Sequence, residues 1–134
     1  MAETFQDKGR RVTGTARAGA GRTKQHDLAD RFDGRLGIET LDISEPAQRA
    51  ALRERRSGRR FDMLFENAGT TNEPTETIGE VTTDEFVRVM ITKALAPKRG
   101  IETLQGLVTE DGLIGAMSSG QGSVANNVSG MREV

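Results

Sequence analysis

The 134 residues carry 19 Lys+Arg against 20 Asp+Glu, a formal net charge of −1, so no global field recruits nucleic acid or an anionic membrane. With no Cys and a single His, a disulfide framework and a thiolate metal site are excluded, which fits the cytoplasm. A chain of this length is expected to form one domain around a moderate core; it has neither an apolar run long enough to span a membrane nor a signal-peptide pattern. The six Arg between Arg49 and Arg60 are interrupted by Glu54 and read as the solvated face of a helix. His26, between Gln25 and Asp27, reads as a surface residue. There is no Tyr.

Met1–Lys8 reads as the last turns of a helix, with Met1, Ala2 and Phe5 on one face and Gly9 suited to a left-handed stop. Arg11–Ala16, with the β-formers Val12, Thr13 and Thr15, is expected to be a strand, and Ala18–Gly21 the loop after it. Thr23–Phe32 is a weak amphipathic helix with Leu28, Ala29 and Phe32 apolar, and Leu36–Leu41 the next strand, closed by Asp42. Ser44 is expected to cap a helix with Pro46 in its first turn, running to Ser57 with Ala47, Ala50 and Ala51 inward.

Phe61–Phe65 is a short apolar run that stops at Asn67-Ala68-Gly69, the pattern of a buried strand. Thr70–Gly79 follows as a loop. Thr82-Thr-Asp-Glu85 is a capping box opening a long helix over 83–108. Phe86, Met90, Ala94, Pro97, Ile101 and Leu104 recur at intervals of three and four and are expected to form one buried stripe, kinked by Pro97 and Gly100. Leu113–Met117 is a last strand ending at Ser118-Ser119, before a Gly/Ser/Asn-rich tail over Gly120–Val134. Strands that alternate with helices predict βαβ units, hence a parallel sheet with helices on both faces. Ligands of such sheets bind beyond the carboxyl ends of the strands, where Asn67, Ala68 and Gly69 stand.

The segment FDMLFENAG, followed by GLIGAMSSGQGS, resembles the short-chain dehydrogenases/reductases, and within them the C-factor-like (sniffer-like) carbonyl reductases. Nearly the whole chain takes part. The resemblance implies an α/β fold, a doubly wound, Rossmann-like parallel sheet that is incomplete here. Thr13–Gly21 invites comparison with the family's TGxxxGxG phosphate loop, but its spacing is one residue too long and the residues before it are polar. In register with Asn67, it corresponds instead to the family's second strand and following loop.

That register places Arg17 where an NADP 2′-phosphate sits, a group whose oxygens suit a guanidinium fork; the alternative is a solvated loop arginine. Asp42 and Ile43 fall where the family holds the adenine edge, Asp42 otherwise being a loop residue or helper cap. Asn67, Ala68 and Gly69 match the family's adenosine-side loop. Ser119 matches the serine that orients the substrate carbonyl, with Ser118 and Ser123 as neighbours able to take the place and a polar turn as the alternative. Lys93 stands where the family has a helix Asn that holds a proton-relay water.

Several family parts are missing: the opening strand with its Gly-rich loop, and the Tyr-x-x-x-Lys pair that supplies the proton. Glu66 stands where the family commonly has an apolar residue or Asn, and Lys98 and Arg99 charge a helix that in the family packs against a partner subunit. The resemblance therefore implies NAD(P)H-dependent carbonyl reduction or alcohol oxidation, with NADP (or NAD) as cofactor and a small carbonyl or alcohol as substrate. The chain itself is expected to be an inactive fragment cut at both ends. The partners expected are a second copy through the 83–108 helix, with no nucleic acid and no membrane. The alternative is a non-catalytic, flavodoxin-like binding or regulatory module. Without the opening strand, the strands at 11–16 and 61–65 should be left with a slot of roughly two strand spacings, about 9–10 Å, between them. The isolated fold should be marginal, with exposed backbone edges.

Overall fold

A computed structural model describes residues 2–19, 21–32, 34–70 and 79–118. The chain divides into two compact units, Met1–Leu52 and Arg53–Val134, the boundary falling within one helix.

The first unit opens with α1 (Ala2–Asp7), β1 (Val12–Ala16), α2 (Lys24–Arg31), β2 (Leu36–Thr40) and the start of α3 (Pro46–Arg55). α1 ends as the sequence requires. Gly9 takes a φ of +74°, and the N–H groups of Gly9 and Arg10 close back on the carbonyls of Gln6 (2.9 Å) and Phe5 (3.0 Å), a Schellman stop that satisfies two orphan carbonyls. β1 and β2 pair in parallel from Val12↔Leu36 to Ala16↔Thr40, extended by Val12 N–H to Arg35 O (2.8 Å) and Leu41 N–H to Ala16 O (2.9 Å). The buried apolar residues are Leu36, Leu41, Ile43 and Leu52.

Burial in this unit departs from the sequence pattern at three places. In α1 the buried side chain is Gln6, with Ala2 and Phe5 only partly covered. In α3 it is Arg49 and Leu52 that face the core, while Ala47 and Ala50 are exposed. A long side chain with an apolar stem fills space that alanine cannot, provided its head finds an acceptor, and Arg49 finds the carbonyl of Ile43. His26 is half-buried, not a free surface residue. It sits at the third position of α2, where its Nδ1 accepts the N–H of the N-cap Thr23 (3.1 Å), the role Glu or Gln plays in a capping box.

The second unit holds the end of α3, β3 (Phe61–Glu66), α4 (Thr83–Met90), a π-helical turn (Ile91–Leu95), α5 (Ala96–Leu104), a 3₁₀ turn (Gln105–Leu107) and β4 (Val108–Ala116). β3 and β4 pair in parallel from Met63↔Leu113 to Glu66↔Ala116. β4 begins five residues earlier than the apolar pattern suggests, because Phe61 pairs with Val108 and the stretch Thr109–Gly112 bulges out before the register resumes. Half of the expected capping box forms: Thr82 Oγ1 accepts Glu85 N–H (3.2 Å), but the Glu85 carboxylate is taken by Arg88 Nε (2.8 Å).

The interruption at Pro97 is also present and has a plain cause. Proline has no N–H for the Lys93 carbonyl four residues back, and the turn before it widens into the π-helical stretch. Val89, Ala96, Gly100 and Leu104 are buried, whereas Phe86 and Met90 of the expected stripe are exposed by 45% and 44%. The buried residues keep ordinary helical spacings of seven and four, on a face next to the one the apolar pattern picks out.

Instead of one four-stranded sheet, the described strands form two separate parallel pairs, β1–β2 and β3–β4. Among the described residues, β1 has only β2 as a hydrogen-bonded neighbour and β3 only β4.

Candidate nucleotide-binding site

In the first unit the carboxyl ends of β1 and β2 open into a cleft of about 330 Å³ lined by Arg17, Ala18, Gly19, Asp42 and Gln48. β1 delivers Arg17 as the first residue of its loop, with an exposed side chain. Gly19, at a φ of +75°, turns the backbone in a conformation that side-chain-bearing residues rarely adopt.

On the other wall, β2 delivers the turn Asp42-Ile43-Ser44. Asp42 Oδ1 accepts both the N–H (2.9 Å) and the hydroxyl (2.6 Å) of Ser44. Thus Ser44 turns its side chain back on Asp42, and α3 takes its first bond from Arg49 N–H to Glu45 O (3.2 Å). The turn is fixed from α3 at two further points: Gln48 Oε1 accepts the N–H of Asp42 (2.7 Å), and the buried Arg49 donates to the carbonyl of Ile43. The Ser44 hydroxyl and N–H, helped by the positive charge of Arg17, hold the Asp42 carboxyl below the usual range, so it is an anion near neutral pH. The cleft thus offers a guanidinium and a carboxylate to one ligand.

Of the residues expected from the sequence, Arg17 and Asp42 share this cleft, and Ile43 is buried behind it with its carbonyl on Arg49. Asn67, Ala68 and Gly69 lie in the second unit, as an exposed stretch directly after β3. Lys93 is exposed at the centre of the π-helical turn, beside Thr92, whose hydroxyl donates to Arg88 O (2.9 Å). Ser118 is exposed just beyond β4, while Ser119 and Ser123 lie outside the described residues. Gln48 and Arg49 were not singled out by sequence reasoning. Gln48 carries no local signal of its role, and Arg49 is masked by the run of arginines that follows it. Among the described residues no group of His, Asp or Glu could hold a metal ion, and no helix is long and apolar enough to cross a membrane.

The family described as enoyl-(acyl carrier protein) reductase matches residues 1–132, and the chain belongs to the short-chain dehydrogenases/reductases. It is similar to a structure from Burkholderia multivorans assigned to the short-chain dehydrogenases/reductases and solved with bound NADP: 61% identity, TM-score 0.87, covering 96% of this chain and 56% of that one. It is also similar to a carbonyl reductase of Pseudomonas aeruginosa PAO1 in complex with NADP: 29% identity, TM-score 0.86, covering 96% of this chain and 56% of that one. No curated protein matches the chain. The 134 residues therefore span a little over half the length of these solved relatives, a partial Rossmann-like fold of an oxidoreductase family.

Proposed function

We propose that this chain carries the adenosine 2′-phosphate end of an NADP(H) site, in a protein whose whole activity is carbonyl reduction or the reverse alcohol oxidation. The observation that carries the reading is the single cleft that joins the Arg17 guanidinium to the Asp42 carboxylate at the carboxyl ends of β1 and β2. A guanidinium matches a phosphate monoester in charge and in the geometry of its donors. A carboxylate accepts from an exocyclic amino group such as that of adenine. The donor set fits that end of the cofactor.

In this reading Arg17 holds the 2′-phosphate, Asp42 and Ile43 the adenine edge, and Asn67-Ala68-Gly69 the adenosine side with bare backbone. The bound dinucleotide supplies hydride. Ser119 orients the substrate carbonyl by a hydrogen bond, and Lys93 places a cation where relatives have an amide. The family's proton donor is a Tyr, and these 134 residues contain none; turnover by them alone is not expected. The face bearing Phe86, Met90 and Leu95, each 38–45% exposed, supports pairing with a second copy through the 83–108 helix, and the compartment proposed is the cytoplasm.

Calorimetric titration of the chain with NADP+ and NAD+ tests the nucleotide reading. Binding of NADP+ at least tenfold tighter is expected, roughly the worth of one charged hydrogen-bonded contact. Equal affinity, or none for either, would contradict it.

A further inference from the structure

We propose that Arg88 is a positioning residue: through Thr70 it anchors the far end of the Asn67-Ala68-Gly69 stretch and holds that backbone in place for the nucleotide. The inference rests on the nucleotide reading above and goes further by naming the side chain that sets this stretch.

Asn67, Ala68 and Gly69 are exposed, and among the described residues they make no hydrogen bond of their own. A methyl group added at Gly69 would meet no atom within 4 Å. The stretch is therefore open to a ligand, and no local bond fixes it. The fixing comes from its two ends. On the near side, Met117 N–H donates to Glu66 O (2.8 Å), which extends the β3–β4 pairing. On the far side, Arg88 Nη1 donates to Thr70 Oγ1 (3.1 Å). A short span between two anchors has little freedom left.

The far anchor is itself held. Glu85 Oε2 and Oε1 accept from Arg88 Nε (2.8 Å) and Nη2 (2.6 Å). This bidentate fork fixes the plane of the guanidinium and directs its remaining nitrogen to Thr70. Glu85 N–H donates in turn to the N-cap Thr82 (3.2 Å). A continuous path of hydrogen bonds thus runs from the start of α4 to the end of the stretch. Exposed ion pairs add little to stability, well-formed bidentate ones being the exception. The consequence lies in the order of the stretch instead, because a ligand that meets an ordered backbone is spared the cost of ordering it.

The test combines backbone amide relaxation of the ligand-free chain, by nuclear magnetic resonance, with calorimetric titration of the same chain with NADP+. The proteins compared are the unaltered chain, Thr70→Val, Thr70→Ser, Arg88→Met and the double variant Thr70→Val with Arg88→Met. Thr70→Val keeps the shape of the side chain and loses the acceptor, whereas Thr70→Ser keeps the hydroxyl. Order parameters of Ala68 and Gly69 should fall in Thr70→Val and in Arg88→Met and be retained in Thr70→Ser. Affinity for NADP+ should drop roughly three- to tenfold in the first two, and the double variant should be no weaker than the weaker single one. Additive losses would show two side chains acting separately and would overturn the anchor. Order parameters or affinity unchanged in Thr70→Val would overturn the role of Arg88 and leave the nucleotide reading standing. Failure of the unaltered chain to bind NADP+ would overturn both.

Discussion

The two units solve the same problem with different completeness. In the first, the apolar residues Leu36, Leu41, Ile43 and Leu52 are buried, and no large apolar side chain among the described ones is strongly exposed. In the second, Val89, Ala96, Leu104 and Leu107 are buried, but Phe86, Val87, Met90, Ile91 and Leu95 on the helices and Met63, Leu113, Ile114 and Met117 along the strands stand 36–63% exposed. Exposed apolar side chains in this number are more than scattered surface residues usually supply. The first unit instead spends its exposed edge on polar chemistry, a turn fixed by Ser44, Gln48 and Arg49 beside an arginine. One unit buries its apolar residues beside a polar cleft; the other leaves many of its own exposed.

The largest effects that test this contrast are in the two cores. Leu52→Ala and Leu104→Ala should each cost about 2–5 kcal/mol. Hydrogen exchange should show protection lost first in the unit that holds the substitution, residues 2–52 for the former and 53–118 for the latter. Uniform loss over the whole chain from either would erase the distinction.

Next in size are single polar anchors. Thr82→Ala removes the side chain that accepts Glu85 N–H and should cost about 1 kcal/mol by urea denaturation; Thr82→Asp should restore most of it.

The two depressed carboxylates sharpen the comparison by pH. Asp42 is lowered by its bonds from Ser44, and Glu85, half-buried, by its ion pair with Arg88. A carboxylate whose folded pKa lies below its unfolded value stabilises at pH above the unfolded value, and the contribution is lost as pH falls through the folded one. Acid should therefore loosen the 42–44 turn below the ordinary carboxylate range. Asp42→Asn should remove that part of the pH dependence. The contribution of Glu85 should fade in salt, whereas that of Asp42, hydrogen-bonded within the turn, should persist. A salt-sensitive Asp42 would contradict the geometry.

The smallest stability effect belongs to the uncovered face. Leu113→Lys should change unfolding free energy by no more than about 0.5 kcal/mol, since Leu113 is 63% exposed. It should still reduce binding of a hydrophobic dye and self-association by light scattering. A large destabilisation would mean the face is already covered.

Much of this was legible in the sequence because it rests on local chemistry. Gly9 ends α1, Pro97 interrupts the long helix, and Asp42 closes β2, each through backbone geometry or hydrogen bonding that one residue type enforces. Family register singles out Arg17 and Asp42 one by one, and the structure lines one cleft with both residues. Periodicity gave the rest less well. The buried stripe of the long helical segment runs through Val89, Ala96, Gly100 and Leu104, beside rather than along Phe86 and Met90. The bulge at Thr109–Gly112 hid the start of β4. The inward turn of Arg49 was invisible because a charge run reads as solvated until an acceptor, here the Ile43 carbonyl, is known to wait behind it.

The most direct measurement is nuclear magnetic resonance mapping of 2′,5′-ADP on the chain. Saturable shifts at Arg17, Gly19, Asp42 and Ile43, lost in Arg17→Ala, are expected. Shifts confined to residues 53–118, or binding that Arg17→Ala leaves unchanged, would contradict a nucleotide site in the first unit.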